Sequence, residues 1–174
     1  MFYDSVVAAL VARAHGIVRA IPRDSAHVTH AFLGEVPESD LTAVAMAIVR
    51  ALEGRAAVDV QIGGPALLRA RRMPRLILAP VTAGAARVAQ LSAAIVAALR
   101  VQDAFAELPA PKHAHVTLAR VRPRATPHDG DRLEERLRGM AIRPRNVRLA
   151  HVQLVASTMT SDGSAYRVLR QWPL

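Results

Sequence analysis

A chain of 174 residues that is 52% apolar and 21% charged is long and apolar enough to bury an ordinary core, so disorder is excluded. It has no cysteine, which rules out disulfides, thiolate metal sites and cysteine nucleophiles, and it has no run of eighteen apolar residues free of charge or proline, so no membrane-spanning helix is expected. The net charge is +9, and of the 23 basic residues only Lys112 is a lysine; arginine's planar fork suits phosphate, although a composition rich in Ala, Arg and Val gives the same excess without any ligand.

With 3% aromatic residues, a broad base-stacking platform is not expected. The short apolar stretch near the N-terminus lacks a basic lead and a cleavage-like end, so the reading is of a soluble, cytoplasmic protein; a monomer is expected.

Asp4 or Ser5 caps a helix expected to run to about His15, with Val7, Leu10 and Val11 on its buried stripe. A loop containing Pro22 follows. Alternation predicts a strand over 26–33, with Val28 and Phe32 on one face, His27 and Thr29 on the other, and His30 turned toward the core. Pro37, Glu38, Ser39 and Asp40 open a helix that continues to Leu52 and stops at Gly54. Strands are expected over 57–62 and 76–81, separated by Gly63, Gly64 and Pro65 and by a basic run at Arg69, Arg71 and Arg72 that reads as a solvated loop.

The second half repeats this order. A helix over 84–101 carries Val88, Leu91, Ile95 and Leu99 on its apolar stripe. A loop with Pro111 delivers the chain to a strand over 113–120, Arg122 and Arg124 fall in a loop, and a charged helix spans 129–138 before Gly139. A long strand over 147–156 and a turn at Ser161, Asp162 and Gly163 lead into a last strand over 166–171.

Two stretches stand out. His27-Val28-Thr29 recurs as His115-Val116-Thr117, 88 positions on, and the helix-ending Gly54 and Gly139 are 85 apart. Two unrelated landmarks with nearly one spacing point to a duplication, with pseudo-two-fold halves of about 1–82 and 83–174 within a single bilobal domain spanning 1–174. In an extended chain each stretch presents an imidazole and a hydroxyl on one face. Imidazole exchanges a proton near neutral pH and a hydroxyl donates to a phosphoryl oxygen, so two facing pairs supply one base and one acid for opening a phosphodiester. A lone strand histidine is more often structural, and threonine suits strands by β-branching; the duplicated context is what favours chemistry. His113 and His115 share a strand face and form an alternative metal pair, without an accompanying carboxylate pattern.

His27-Val28-Thr29-His30-Ala31-Phe32-Leu33-Gly34-Glu35-Val36 and His115-Val116-Thr117-Leu118-Ala119-Arg120 resemble the two signatures of the two-histidine phosphoesterase superfamily, and within it the RNA 2′,3′-cyclic phosphodiesterases, also called 2′-5′ RNA ligase-like proteins. The resemblance spans nearly the whole chain. It implies an α+β fold of duplicated units with antiparallel sheets around a central cleft. It also implies hydrolysis of RNA or nucleotide 2′,3′-cyclic phosphates to 2′-phosphates without metal or cofactor. On that resemblance His27 and His115 are the acid-base pair, Thr29 and Thr117 hold phosphate, and Arg120 lines the site. Strand alternation, by contrast, turns Arg120 away from His115.

The chain departs from the family in entering a helix almost at once, where the family opens with a strand. It departs again in carrying His30 where an apolar residue is usual, as a substrate contact or a backbone-bonded side chain. ATP-independent 2′-5′ ligation by the same pair, and a non-catalytic RNA- or nucleotide-binding module, are the alternative functions.

Overall fold

The structure is a computed structural model that describes residues 2–14, 16–111, 113–140, 142–160 and 163–174. His15 and the expected turn residues Ser161 and Asp162 lie outside the described residues. The chain divides into two compact units: Met1–Val28, Gln61–Ala83 and His113–Asn146 form the first, and Thr29–Val60, Gly84–Lys112 and Val147–Leu174 the second. Each sequence half contributes to both units. None of the described helices is long and apolar enough to cross a membrane.

In the first unit, helix α1 (Phe2–Arg13) leads into strand β1 (Val18–Ala20). Its buried stripe is Val6, Leu10 and Ala14, a clean four-residue spacing, while Val11 is exposed. The expected stripe through Val7 and Val11 is thus rotated by one residue. β1 pairs antiparallel with β5 (His115–Val121), which pairs with the long β4 (Met73–Ala83). The sheet runs β1-β5-β4-β2-β6, where β2 is Val58–Ile62 and β6 is Arg145–Leu149, each with residues in both units. Along β4, Ile77, Ala79 and Val81 are buried on one face, while Leu76, Leu78 and Pro80 are only half-buried on the other. That second face carries the motif residues.

The basic run read as a solvated loop is instead strand β3 (Ala66–Ala70) and a two-residue turn into β4, with Ala70 opposite Met73. Arg69 leaves β3 to bond Asp131 at 2.9 Å and Glu134 at 2.8 Å on helix α4 (Pro127–Arg138), and this bond from Arg69 holds the Glu134 carboxyl below its ordinary range. Sequence reading missed the strand because its apolar side chains are followed by charge in place of a glycine turn. Arg71 and Arg72 both take positive φ, 48° and 70°, a turn geometry that Asn-Gly fits and a Cβ resists. Replacing Arg71-Arg72 by Asn-Gly is expected to raise stability by about 1 kcal/mol, read as a higher denaturation midpoint at unchanged slope. A lower midpoint would mean that the arginines stabilise the turn through their side chains.

The second unit has helices α2 (Leu41–Leu52) and α3 (Ala85–Arg100) packed on each other and on the β7–β8 hairpin, His151–Thr160 with Gly163–Pro173. Its core joins Val44, Ile48 and Leu52 to Leu91, Ile95, Leu99 and Phe105, with Val152 and Leu154 from β7. The single strand expected over 147–156 is divided between β6 and β7, with Ala150 as the break. Ala31, Leu33 and Val36, just beyond the first histidine motif, pack against this core. Phe32 is 77% exposed, so the expectation that it shares a core face with Val28 is corrected. The residues over 26–33 form no regular strand; tertiary packing of Ala31 and Leu33 takes precedence over alternation.

Candidate functional site

β1 is only three residues long, but its line along the edge of β5 is resumed further on. Val18, Arg19 and Ala20 sit opposite Val121, Arg120 and Ala119. Ile21 N–H then donates to Leu118 O, the chain turns out through a short 3-10 helix at Arg23–Ser25, and Val28 returns to pair antiparallel with Val116. The two His-Val-Thr stretches therefore meet at their central valines. On β5, residues flanking Val116 project to the opposite face from it, so His115 and Thr117 share one face. His27 and His115 each precede a residue of the Val28–Val116 bridge by one position.

The two rings are held in the same way. His27 Nδ1 lies 2.7 Å from Ser25 O, and His115 Nδ1 lies 3.0 Å from His113 O, in each case the carbonyl two residues back. A carbonyl only accepts, so both Nδ1 atoms donate, and in a neutral ring Nε2 carries the lone pair. The 3-10 turn that interrupts the strand line supplies the carbonyl for the first ring, and the irregular entry to β5 supplies it for the second.

Alternation alone separates Arg120 from His115, and here the structure differs. On β4, Leu76, Leu78 and Pro80 face Arg120, Thr117 and His115, while Ile77 and Ala79 face Ala119 and Val116. Leu118 is the extra residue, because the register shifts between Ile77 and Leu78. A bulge changes the phase of the strand by one position, so Arg120 emerges on the same face as His115 and Thr117. Arg19, opposite Arg120 and half-buried, joins them. Sequence reading passed over Arg19, because Val18-Arg19-Ala20, flanked by Ile17 and Ile21, holds a single polar residue and shows no alternation to mark a strand.

His27, His115, Thr117 and Arg120 thus belong to one unit. Thr29 follows Val28 directly and opens the second unit, where His30 also lies. His30 is part-buried, with Nδ1 2.8 Å from Ser92 Oγ on α3. Ser92 spends its own hydrogen on Val88 O at 2.9 Å, so its oxygen accepts from His30 Nδ1–H. Burial pushes the His30 imidazole below its ordinary value of 6.5. The unfolded chain then binds the proton more readily than the folded one, so the His30 contribution to stability is complete above about pH 6.5 and declines as pH falls below it toward the lowered native value. A His30→Gln variant is expected to show a shallower loss of stability between pH 6.5 and 5 than the parent, measured by denaturant titration at each pH. Parallel curves would assign that acid sensitivity elsewhere.

Among the described residues, no three of His, Asp and Glu gather closely enough to hold a metal ion. His113, the alternative metal partner of His115, offers it a backbone carbonyl.

No family model matches the sequence, and no curated protein matches it. Solved structures do. The crystal structure of TT0787 of Thermus thermophilus is 22% identical, covers 98% of this chain and 92% of its own, and superposes with a TM-score of 0.73. E. coli LigT complexed with ATP is 19% identical, covering 98% and 90%, with a TM-score of 0.62. A structure described as a phosphoesterase is 18% identical, covering 98% and 91%, with a TM-score of 0.63. Over nearly its full length the chain has the α+β fold of these proteins, the fold that the two histidine signatures imply.

Proposed function

We propose that this protein is a metal-independent phosphodiesterase that opens 2′,3′-cyclic phosphates at RNA ends or on nucleotides, leaving a 2′-phosphate. The observation that carries the reading is the antiparallel pairing of Val28 with Val116, which joins two sequence-distant His-Val-Thr stretches whose imidazoles each bond through Nδ1 to the carbonyl two residues back. The fold shared with a phosphoesterase and with LigT, whose structure holds ATP, supports it.

In the proposed reaction Nε2 of one ring takes a proton from water as the water oxygen bonds to phosphorus. The bond from phosphorus to O3′ breaks, and Nε2–H of the other ring protonates the departing oxygen. Thr117 donates to a nonbridging oxygen of the reacting phosphate. One ring starts neutral and the other charged, so turnover declines on both the acid and the alkaline side. With its Nδ1 committed to Ser92, His30 is assigned to fixing the segment that carries Thr29.

The test is an oligonucleotide ending in a 2′,3′-cyclic phosphate, incubated with the protein in EDTA. A 2′-phosphate end is the expected product. Joined strands would establish the ligase reading, binding without turnover the non-catalytic one, and activity lost to EDTA would overturn metal independence.

A further inference from the structure

Arg19 and Arg120 stand directly opposite each other across the β1–β5 ladder. Positions so paired have Cβ atoms roughly 4.5–5.5 Å apart, and like charges there repel. Among the described residues neither arginine has an acidic partner, although Arg23, Arg69, Arg138 and Arg148 all do. Arg19 is also half-buried, which adds to the cost of leaving its charge unmatched. An anion between the two guanidinium forks relieves both costs.

The position of the pair identifies the anion. Both arginines emerge on the face that carries His115 and Thr117, in the row of Leu76 on β4, whereas His115 is in the row of Pro80. Four residues of β4 separate these rows, roughly 13 Å at about 3.3 Å per residue. That exceeds the spacing of adjacent phosphates along one strand, and long arginine side chains can reach across the difference; the floor between the rows is Leu78, half-buried and apolar. We propose that Arg19, with Arg120, forms a second phosphate subsite that takes the phosphodiester neighbouring the cyclic end, so that the preferred substrate is an oligonucleotide and not a free cyclic nucleotide. The inference rests on the phosphodiesterase reading above.

Arg19→Gln tests it against two substrates, a nucleoside 2′,3′-cyclic monophosphate with one phosphate and a dinucleotide with a 2′,3′-cyclic end and one internal phosphodiester. The expected result is a KM for the dinucleotide raised about tenfold, with kcat and the mononucleotide parameters within about twofold. The slope of log KM against log salt should become shallower by about 0.7, and Arg19→Lys should recover part of the loss. Melting temperature should stay level or rise, since repulsion is relieved. Equal losses on both substrates would place Arg19 at the reacting phosphate, and no loss on either would remove the subsite; each overturns the proposal. If the parent protein turns over neither substrate, the phosphodiesterase reading fails by itself. Equilibrium binding of a dinucleotide carrying a terminal 2′-phosphate, compared between parent and Arg19→Gln, then decides the subsite: weaker binding by the variant supports it, and equal binding sinks it.

Discussion

His115→Ala is expected to lower turnover of a 2′,3′-cyclic phosphate by roughly 10²–10⁴-fold, the range contributed by one positioned acid or base. His27→Ala should fall in the same range. The double variant should fall well short of the product of the two losses, because the rings serve a single displacement. The fold should survive. His27 is exposed and His115 only partly buried, and a side-chain bond to a carbonyl is on the order of 1 kcal/mol. The pH profile supplies a second readout: removing one ring should flatten the limb of the bell that it controls, which also tells acid from base. Steady-state kinetics with circular dichroism as the control for folding settles the matter. Near-normal turnover in His115→Ala, with the parent active, would end the paired-histidine mechanism.

Ile77→Ala is expected to cost about 2–5 kcal/mol of stability. Ile77 is fully buried on the core face of β4, opposite Ala119, and its truncation leaves a cavity behind the sheet. Its neighbour Leu78 is half-buried on the other face, opposite Thr117, so Leu78→Ala should cost less stability and act more on KM. The contrast between adjacent residues tests which face of β4 is core and which carries the site, by denaturant unfolding set beside kinetics on the same two variants. A larger stability loss at Leu78 than at Ile77 would invert the assignment and remove the shared face on which the site is built.

The helices were legible because their signals are local. The apolar stripe through Val88, Leu91, Ile95 and Leu99 is buried as its spacing requires, whereas α4 starts two residues before the expected 129, at a cap that the sequence reading passed over: Thr126 bonds reciprocally with Asp129, whose carboxyl this backbone contact holds below its ordinary range. Strands were read less well wherever their pairing, not their composition, defines them. β3 runs into an arginine turn, β1 is three residues long, and the first histidine motif joins the sheet at one residue, Val28. The last two fall short of the length that alternation needs.

By itself the sequence determined that two imidazole-hydroxyl pairs exist, at a spacing that matches a duplicated order of elements, since residue type and period are properties of the chain alone. Only the tertiary structure decided that Val28 meets Val116, that a bulge at Leu118 brings Arg120 onto the face of His115, and that Arg19 joins it from a strand too short to announce itself. The physical reason is that register and bulges are fixed by hydrogen bonds between segments far apart in sequence. A shift of one residue there changes the face of every side chain beyond it, and local composition leaves no trace of it.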